Sequence, residues 1–413
     1  MRTASSRLLC AALVLALMIV LAGCGKTGRG QQQPLAGGPT ARVAPVARQG
    51  AVSVVTRNTT RLGGADPATD AAAVARLVYP GLTAATRPRA VVLVDERRWS
   101  AALAASVLAA APLRAPLLYS EGNTLPAVSR EALEAMHPVG EPALGGAQVI
   151  RIGTSAGLPN GYLARSMPAG EPSVAAAALV QLLPAIAGGK APHQVIVLAA
   201  DAPRALEMPA AGLAAESGAP IVFVTSGRIP PATATALTAL HRPSIYVVAS
   251  ATIGVRTLHD LSRFGPVTPI AGAGPPAGAE SPVGNAISVA RFTDGVFGWG
   301  IKEPGHGLVF ANLSRPLDAP AAALLSATGD YGPLLLLEGA IGVPAALGTY
   351  LADIQPAYTT APQFRPVRGV YNHGWLIGDE SAISALTQAE IDPLLEISPR
   401  KPSSEEPSVS PVE

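Results

Sequence analysis

The stretch RAPLLYSEGNTLP, residues 114–126, is written twice more in the chain, as GAPIVFVTSGRIP at 218–230 and YGPLLLLEGAIGVP at 331–344. In each copy a small residue and a proline (Pro116, Pro220, Pro333) open a short apolar run. A polar, glycine-bearing stretch follows, and a second proline closes the phrase. An apolar run without alternation, bounded by turn residues, reads as a strand buried on both faces. The copies lie much further apart than the repeats of solenoids, so each belongs to a unit long enough to bury a core of its own.

Working outward from that strand, the three units align element by element. A first buried strand precedes the phrase, at Val91–Val94, Ile196–Ala199 and Leu308–Ala311. An Ala-rich helix joins the two strands, at 101–110, 206–215 and 318–327; Pro209 and Pro320 place its start later in the second and third copies. After the phrase comes another helix, at 128–136, 233–240 and 345–354, and then a third strand at 149–152, 245–248 and 375–377. A further helix precedes each first strand and opens at Asp66-Pro67, Glu171-Pro172 or Ser281-Pro282, an N-cap position followed by proline at the first helical position. Alternation of this kind predicts an α/β fold with parallel sheets and right-handed crossovers, each unit a small sheet flanked by helices. The units are expected at 51–158, 159–263 and 264–398.

Residues 1–23 form a secretory signal: Arg2 and Arg7, an apolar run from Leu8 to Val20, then Leu21-Ala22-Gly23 before Cys24. The ending Leu-Ala-Gly-Cys resembles the bacterial lipobox, which implies that Cys24 is the lipidated first residue of the mature chain. The apolar run is too short and wrongly flanked for a spanning helix. Residues 24–50, rich in Gly, Gln and Pro, read as a flexible tether, and 399–413 as a disordered tail. Cys10 leaves with the signal, so no thiol remains for a disulfide, a metal or a nucleophile.

The formal net charge of +2 falls to zero once Arg2 and Arg7 are removed. A nucleic-acid binder needs a basic excess, which is absent. Aromatic residues make up 4% of the chain, too few for a carbohydrate module built on stacking platforms. Hydrophobic residues reach 49%, as suits buried parallel strands covered by Ala-rich helices.

Thr60-Arg61-Leu62-Gly63-Gly64-Ala65-Asp66, followed by an Ala-rich helix, resembles the R-x-x-G-A-D opening of the type 2 cell-wall-binding repeat family. Asp318-Ala319-Pro320-Ala321-Ala322 is similar to that family's D-A-L-A-A, and Ala115-Pro116-Leu117-Leu118 to its A-P-I/L-L-L. Its V-V-G-G-T-x-A-V-S strand end resembles the segments 152–156 and 377–384. The resemblance spans roughly residues 53–398. It implies three Rossmann-like repeats in a pseudo-threefold arrangement, in a non-catalytic, lipid-anchored envelope protein that binds an anionic wall polymer, a peptidoglycan-associated glycan or an envelope partner. The opening phrase is altered in the second and third copies (MPAGEP, AGAGPPAGAESP), and the helix Asp is replaced by Ala101 and Leu206.

Candidate chemistry is sparse. Gly153-Thr154-Ser155-Ala156-Gly157 matches the G-x-S-x-G elbow after a strand, making Ser155 the one candidate nucleophile of a serine hydrolase. The residues that follow it, LPNG, read as a loop, whereas an elbow runs straight into a helix. No histidine has metal-ligand spacing, and neither a cofactor nor a metal is expected. Arg98, Arg204 and Arg315 each follow a first strand, in the exit loop where open α/β sheets bind ligands. Arginine there suits phosphate or carboxylate through paired N–H donors, so these three are the expected binding residues. A solute-binding lipoprotein is the alternative, and it calls for two lobes around a pocket.

Overall fold

The computed structural model describes residues 52–270, 281–327, 331–358 and 371–399. The signal, Cys24, the tether and all but the first residue of the tail lie outside them. The first unit comprises β1 (Val52–Val55), β2 (Thr59–Gly63), α1 (Pro67–Val78), β3 (Val91–Asp95), α2 (Trp99–Ala105), β4 (Leu117–Ser120), α3 (Ala127–Met136) and β5 (Val149–Ile152). The second comprises β6 (Ala164–Met167), α4 (Pro172–Ile186), β7 (Gln194–Ala199), α5 (Arg204–Glu207), α6 (Pro209–Ser217), β8 (Ile221–Val224), α7 (Pro231–Ala239), β9 (Ser244–Val248) and α8 (Val255–Leu261). The third comprises β10 (Val267–Ile270), α9 (Pro282–Arg291), β11 (Gly307–Asn312), α10 (Asp318–Ser326), β12 (Tyr331–Leu337), α11 (Ala345–Asp353), β13 (Ala357–Tyr358), β14 (His373–Ile377), α12 (Ala385–Leu395) and β15 (Ser398–Pro399).

The expected strands and helices all form. Asp66 and Ser281 cap their helices through their side chains, accepting from Thr69 N and Gly284 N, whereas Glu171 makes no side-chain cap. Among the described residues three large sheets result, with orders β4-β3-β5-β6, β8-β7-β9-β10 and β1-β2-β14-β11-β12, besides the two-stranded pair of β13 with β15. All pairings within them are parallel except that of β1 with β2.

Each sheet therefore contains a fourth parallel strand that the apolar pattern did not announce, and that strand opens the next unit. β6 pairs with β5, β10 with β9, and β2 with β14. The last pairing closes a cycle, because the strand opening the first unit completes the sheet of the third. Units drawn from the sequence repeat are thus interleaved, each lending its first strand to the sheet before it.

The central helices close the same cycle. α6 packs on α10, and both pack on α2 and the helical turn Ser106–Ala109 that extends it. Every residue of α10 is buried. The opening helix of each unit reaches the central helix of the preceding one: α1 lies on α10, α4 on α2, and α9 on α5 and α6. Alanine suits this centre, since small side chains let three helices approach closely around a pseudo-threefold axis.

Candidate functional site

Equivalent junctions between consecutive units set equivalent residues opposite one another, and their chemistry has diverged. The fourth residue of the opening helix is Asp70 in α1, Ala175 in α4 and Asn285 in α9, each buried.

At the junction of the third and first units, Arg315 forms ion pairs with Asp70 and, at 3.0 Å from Nε, with Asp318. Both carboxylate side chains are inaccessible, and the arginine side chain is 15% exposed. Gly64 N donates to Asp70 Oδ1 at 2.6 Å. A Cβ at Gly63, whose φ is +117°, would meet that oxygen at 2.0 Å, so the first glycine of the Arg61–Asp66 phrase is fixed by close approach. Burial raises both carboxyl pKa values; the charge of Asp318 raises that of Asp70 further, whereas a hydrogen bond with Asp70 lowers that of Asp318, and Arg315 pulls both down. Arg315 is consumed by this cluster.

At the junction of the second and third units, Asn285 Nδ2 donates to Leu206 O at 2.7 Å. At the junction of the first and second, the equivalent position is Ala175, which has no polar side-chain atom, and a cleft of about 350 Å³ opens beside it. Its floor is made of buried Trp99, Ala101, Ala175 and Glu207, and its rim of exposed Arg97, Arg98, Arg204 and Glu171. These residues follow β3, β6 and β7, so the cleft lies at the carboxyl ends of strands from two sheets.

The cleft thus brings Arg98 and Arg204 together and leaves Arg315 at another junction. Arg97 is held at the mouth by Asp95, with Nη2 3.0 Å from Oδ2. Arg98 and Arg204 form no hydrogen bond or ion pair through their guanidinium groups among the described residues. Glu207 accepts from Trp99 Nε1 at 2.6 Å through Oε2, while Oε1 is buried without a hydrogen-bond partner. Burial pushes the Glu207 carboxyl up to about 7, opposed by the Trp99 hydrogen bond and the charge of Arg204.

Glu207 and Trp99 were not among the expected site residues. The signal for Glu207 was a lone acid in an Ala-rich helix, one position beyond Leu206, where the family's acid was sought. Ser155 is exposed on the loop after β5, and its Oγ donates to Asn123 Oδ1 at 2.7 Å. The chain continues from it into β6, with no helix directly following. Among the described residues no cluster of His, Cys, Asp and Glu has the arrangement of a metal site, and no helix is long and apolar enough to cross a membrane.

No family model and no curated protein sequence matches the chain. Its fold is similar to that of Cwp6 from Clostridium difficile, with a TM-score of 0.61 and 15% identity, over 87% of this chain and 50% of that one. It is likewise similar to Cwp8 from Clostridium difficile, with a TM-score of 0.60 and 16% identity, over 83% of this chain and 53% of that one. The chain spans about half the length of these solved chains. At such identities the likeness establishes the fold, three interleaved α/β repeats.

Proposed function

We propose that the protein is a non-catalytic, lipid-anchored component of the bacterial cell envelope whose repeats bind an anionic wall polymer. The observation that carries this reading is the placement of Arg98 and Arg204, from different repeats, on one cleft with unpaired guanidinium groups. The fold it shares with Cwp6 and Cwp8 is compatible with this reading. Guanidinium matches phosphate or carboxylate oxygens with two parallel N–H donors. A polymer with repeated anionic groups gains avidity from successive weak contacts. The anchor rests on the lipobox ending at Cys24, and the envelope location follows from it.

The test is retention of the full chain on purified walls with and without their anionic polymers. Loss of retention on stripped walls, and its weakening by Arg98→Ala with Arg204→Ala, is the expected result; equal retention on both wall preparations overturns the reading. Cys24→Ala should release the protein into the medium or leave it unprocessed, and persistence in the membrane fraction at the processed size refutes the lipid anchor. Ser155→Ala should change nothing beyond a small effect on stability, and an esterase or peptidase activity lost in that variant would establish the hydrolase instead.

A further inference from the structure

The cleft carries two kinds of recognition group side by side. On its rim Arg98 and Arg204 are exposed, cationic and unpaired. On its floor Glu207 is 2% exposed, and only one of its two oxygens is satisfied. Trp99 fixes the carboxyl plane by donating to Oε2, and the floor otherwise offers Ala101 and Ala175, which have no polar side-chain atom. A buried acid with an unsatisfied oxygen is costly unless a donor or a positive charge compensates it. The protein supplies no such donor among the described residues, although Arg204 contributes its field from the rim. A simple anion would answer the arginines and leave Glu207 as it is. A ligand bearing both signs would answer both.

We propose that the cleft between the first two repeats is a subsite for an amine-bearing anion, its acidic group held by Arg98 and Arg204 and its ammonium group by Glu207. This rests on the wall-binding reading and narrows it, from anionic polymer in general to one whose phosphate or carboxylate groups carry amines nearby. The raised Glu207 pKa fits this assignment, since an arriving ammonium group stabilises the ionised carboxylate that burial disfavours. The second and third units build no such pair: at their junction Asn285 is turned onto Leu206 O, and at the next Arg315 is spent on Asp70 and Asp318. One such subsite among the described residues is the consequence.

The experiment is calorimetric titration of the full chain in detergent with four probes: phosphoethanolamine, β-alanine, inorganic phosphate and ethanolamine. Phosphoethanolamine or β-alanine should bind at least tenfold tighter than phosphate or ethanolamine, and the preferred one of the pair identifies the acidic group. A charge-assisted hydrogen bond is large enough for that ratio. Glu207→Gln should bring the zwitterion down to the level of the simple anion. Glu207→Met, similar in volume and without an acceptor, should do the same and serves if the first variant does not fold. Arg98→Ala with Arg204→Ala should abolish binding of the zwitterion and the simple anion alike. Equal affinities for phosphoethanolamine and phosphate, preference surviving both Glu207 variants, or no binding of any probe overturns the subsite. Polymer-dependent retention on walls, measured separately, would then still stand, so the two failures are distinguishable.

Discussion

Arg315 is the residue on which the closing junction depends. Among the described residues its guanidinium is the one cation paired with Asp70 and Asp318, two acids withdrawn from water. Removing one partner of a buried ionic group leaves uncompensated charge, which costs ~3–5 kcal/mol. Arg315→Ala should therefore lower the denaturation free energy by that order, and a loss below ~1 kcal/mol in urea unfolding would show that the cluster is not charged as drawn. Glu207 makes the opposite case. Its carboxyl is raised from 4.5 to about 7 by burial, so the folded state holds this proton more tightly than the unfolded chain. Its contribution is full below the unfolded value and is lost as pH rises through the folded one. Glu207→Gln should accordingly flatten the fall in melting temperature between pH 5 and 8. At pH 8 it should leave the protein more stable than the parent by ~1–3 kcal/mol. A parent whose melting temperature is level over that range contradicts the assignment.

At the scale of elements, the sequence disclosed those strands that are filled with apolar residues and hid those that are polar or exposed. β3, β4, β7 and β8 are continuous apolar runs, and periodicity found them. β6 reads Ala-Arg-Ser-Met and is mostly exposed, and β10 carries a proline, so neither has an apolar signature. β2, Thr-Thr-Arg-Leu-Gly, is buried along its whole length yet mostly polar, because its environment is built from hydrogen bonds. Arg61 donates from Nε to Gln388 Oε1 at 3.1 Å, from Nη1 to Asp379 O at 2.9 Å and Gly378 O at 3.2 Å, and from Nη2 to Ser384 O at 3.3 Å. All of these partners belong to the third unit, so no local pattern could reveal them. The cleft was half legible for the same reason: exit-loop arginines can be aligned from sequence, whereas the pairing of Trp99 with Glu207 spans two units. Arg61→Lys keeps the charge and loses the fork that reaches several carbonyls at once. It should destabilise the protein nearly as much as Arg61→Ala, whereas rescue by Lys, read in the same unfolding assay, would mean that charge alone matters.

For the whole molecule, interleaved strands make the repeats interdependent. Deleting residues 52–63 removes β1 and β2, bares the edge of β14 and uncovers Leu376 and Ile377, which are buried in the intact sheet. An unpaired, apolar sheet edge is a template for association between chains. The truncated protein should melt lower and form oligomers at concentrations where the parent is monodisperse by light scattering; a monodisperse, equally stable truncation would show that the closing pair is dispensable.

The strand that closes the cycle directly follows β1, the first described part of the chain after the proposed anchor. Tension between membrane and wall would enter the body at β1 and pass through β2 into the ladder with β14, where Thr59 to Leu62 lie beside Gly374 to Ile377. A pull along these strands is a shearing load, shared by the backbone bonds and by Arg61 together, whereas a pull across them would open the bonds one after another. Failure at that ladder would part the first unit from the third and leave the β4-β3-β5-β6 and β8-β7-β9-β10 sheets intact. The seam that completes the fold would, in mechanical terms, set how much force could pass from an N-terminal anchor into the body.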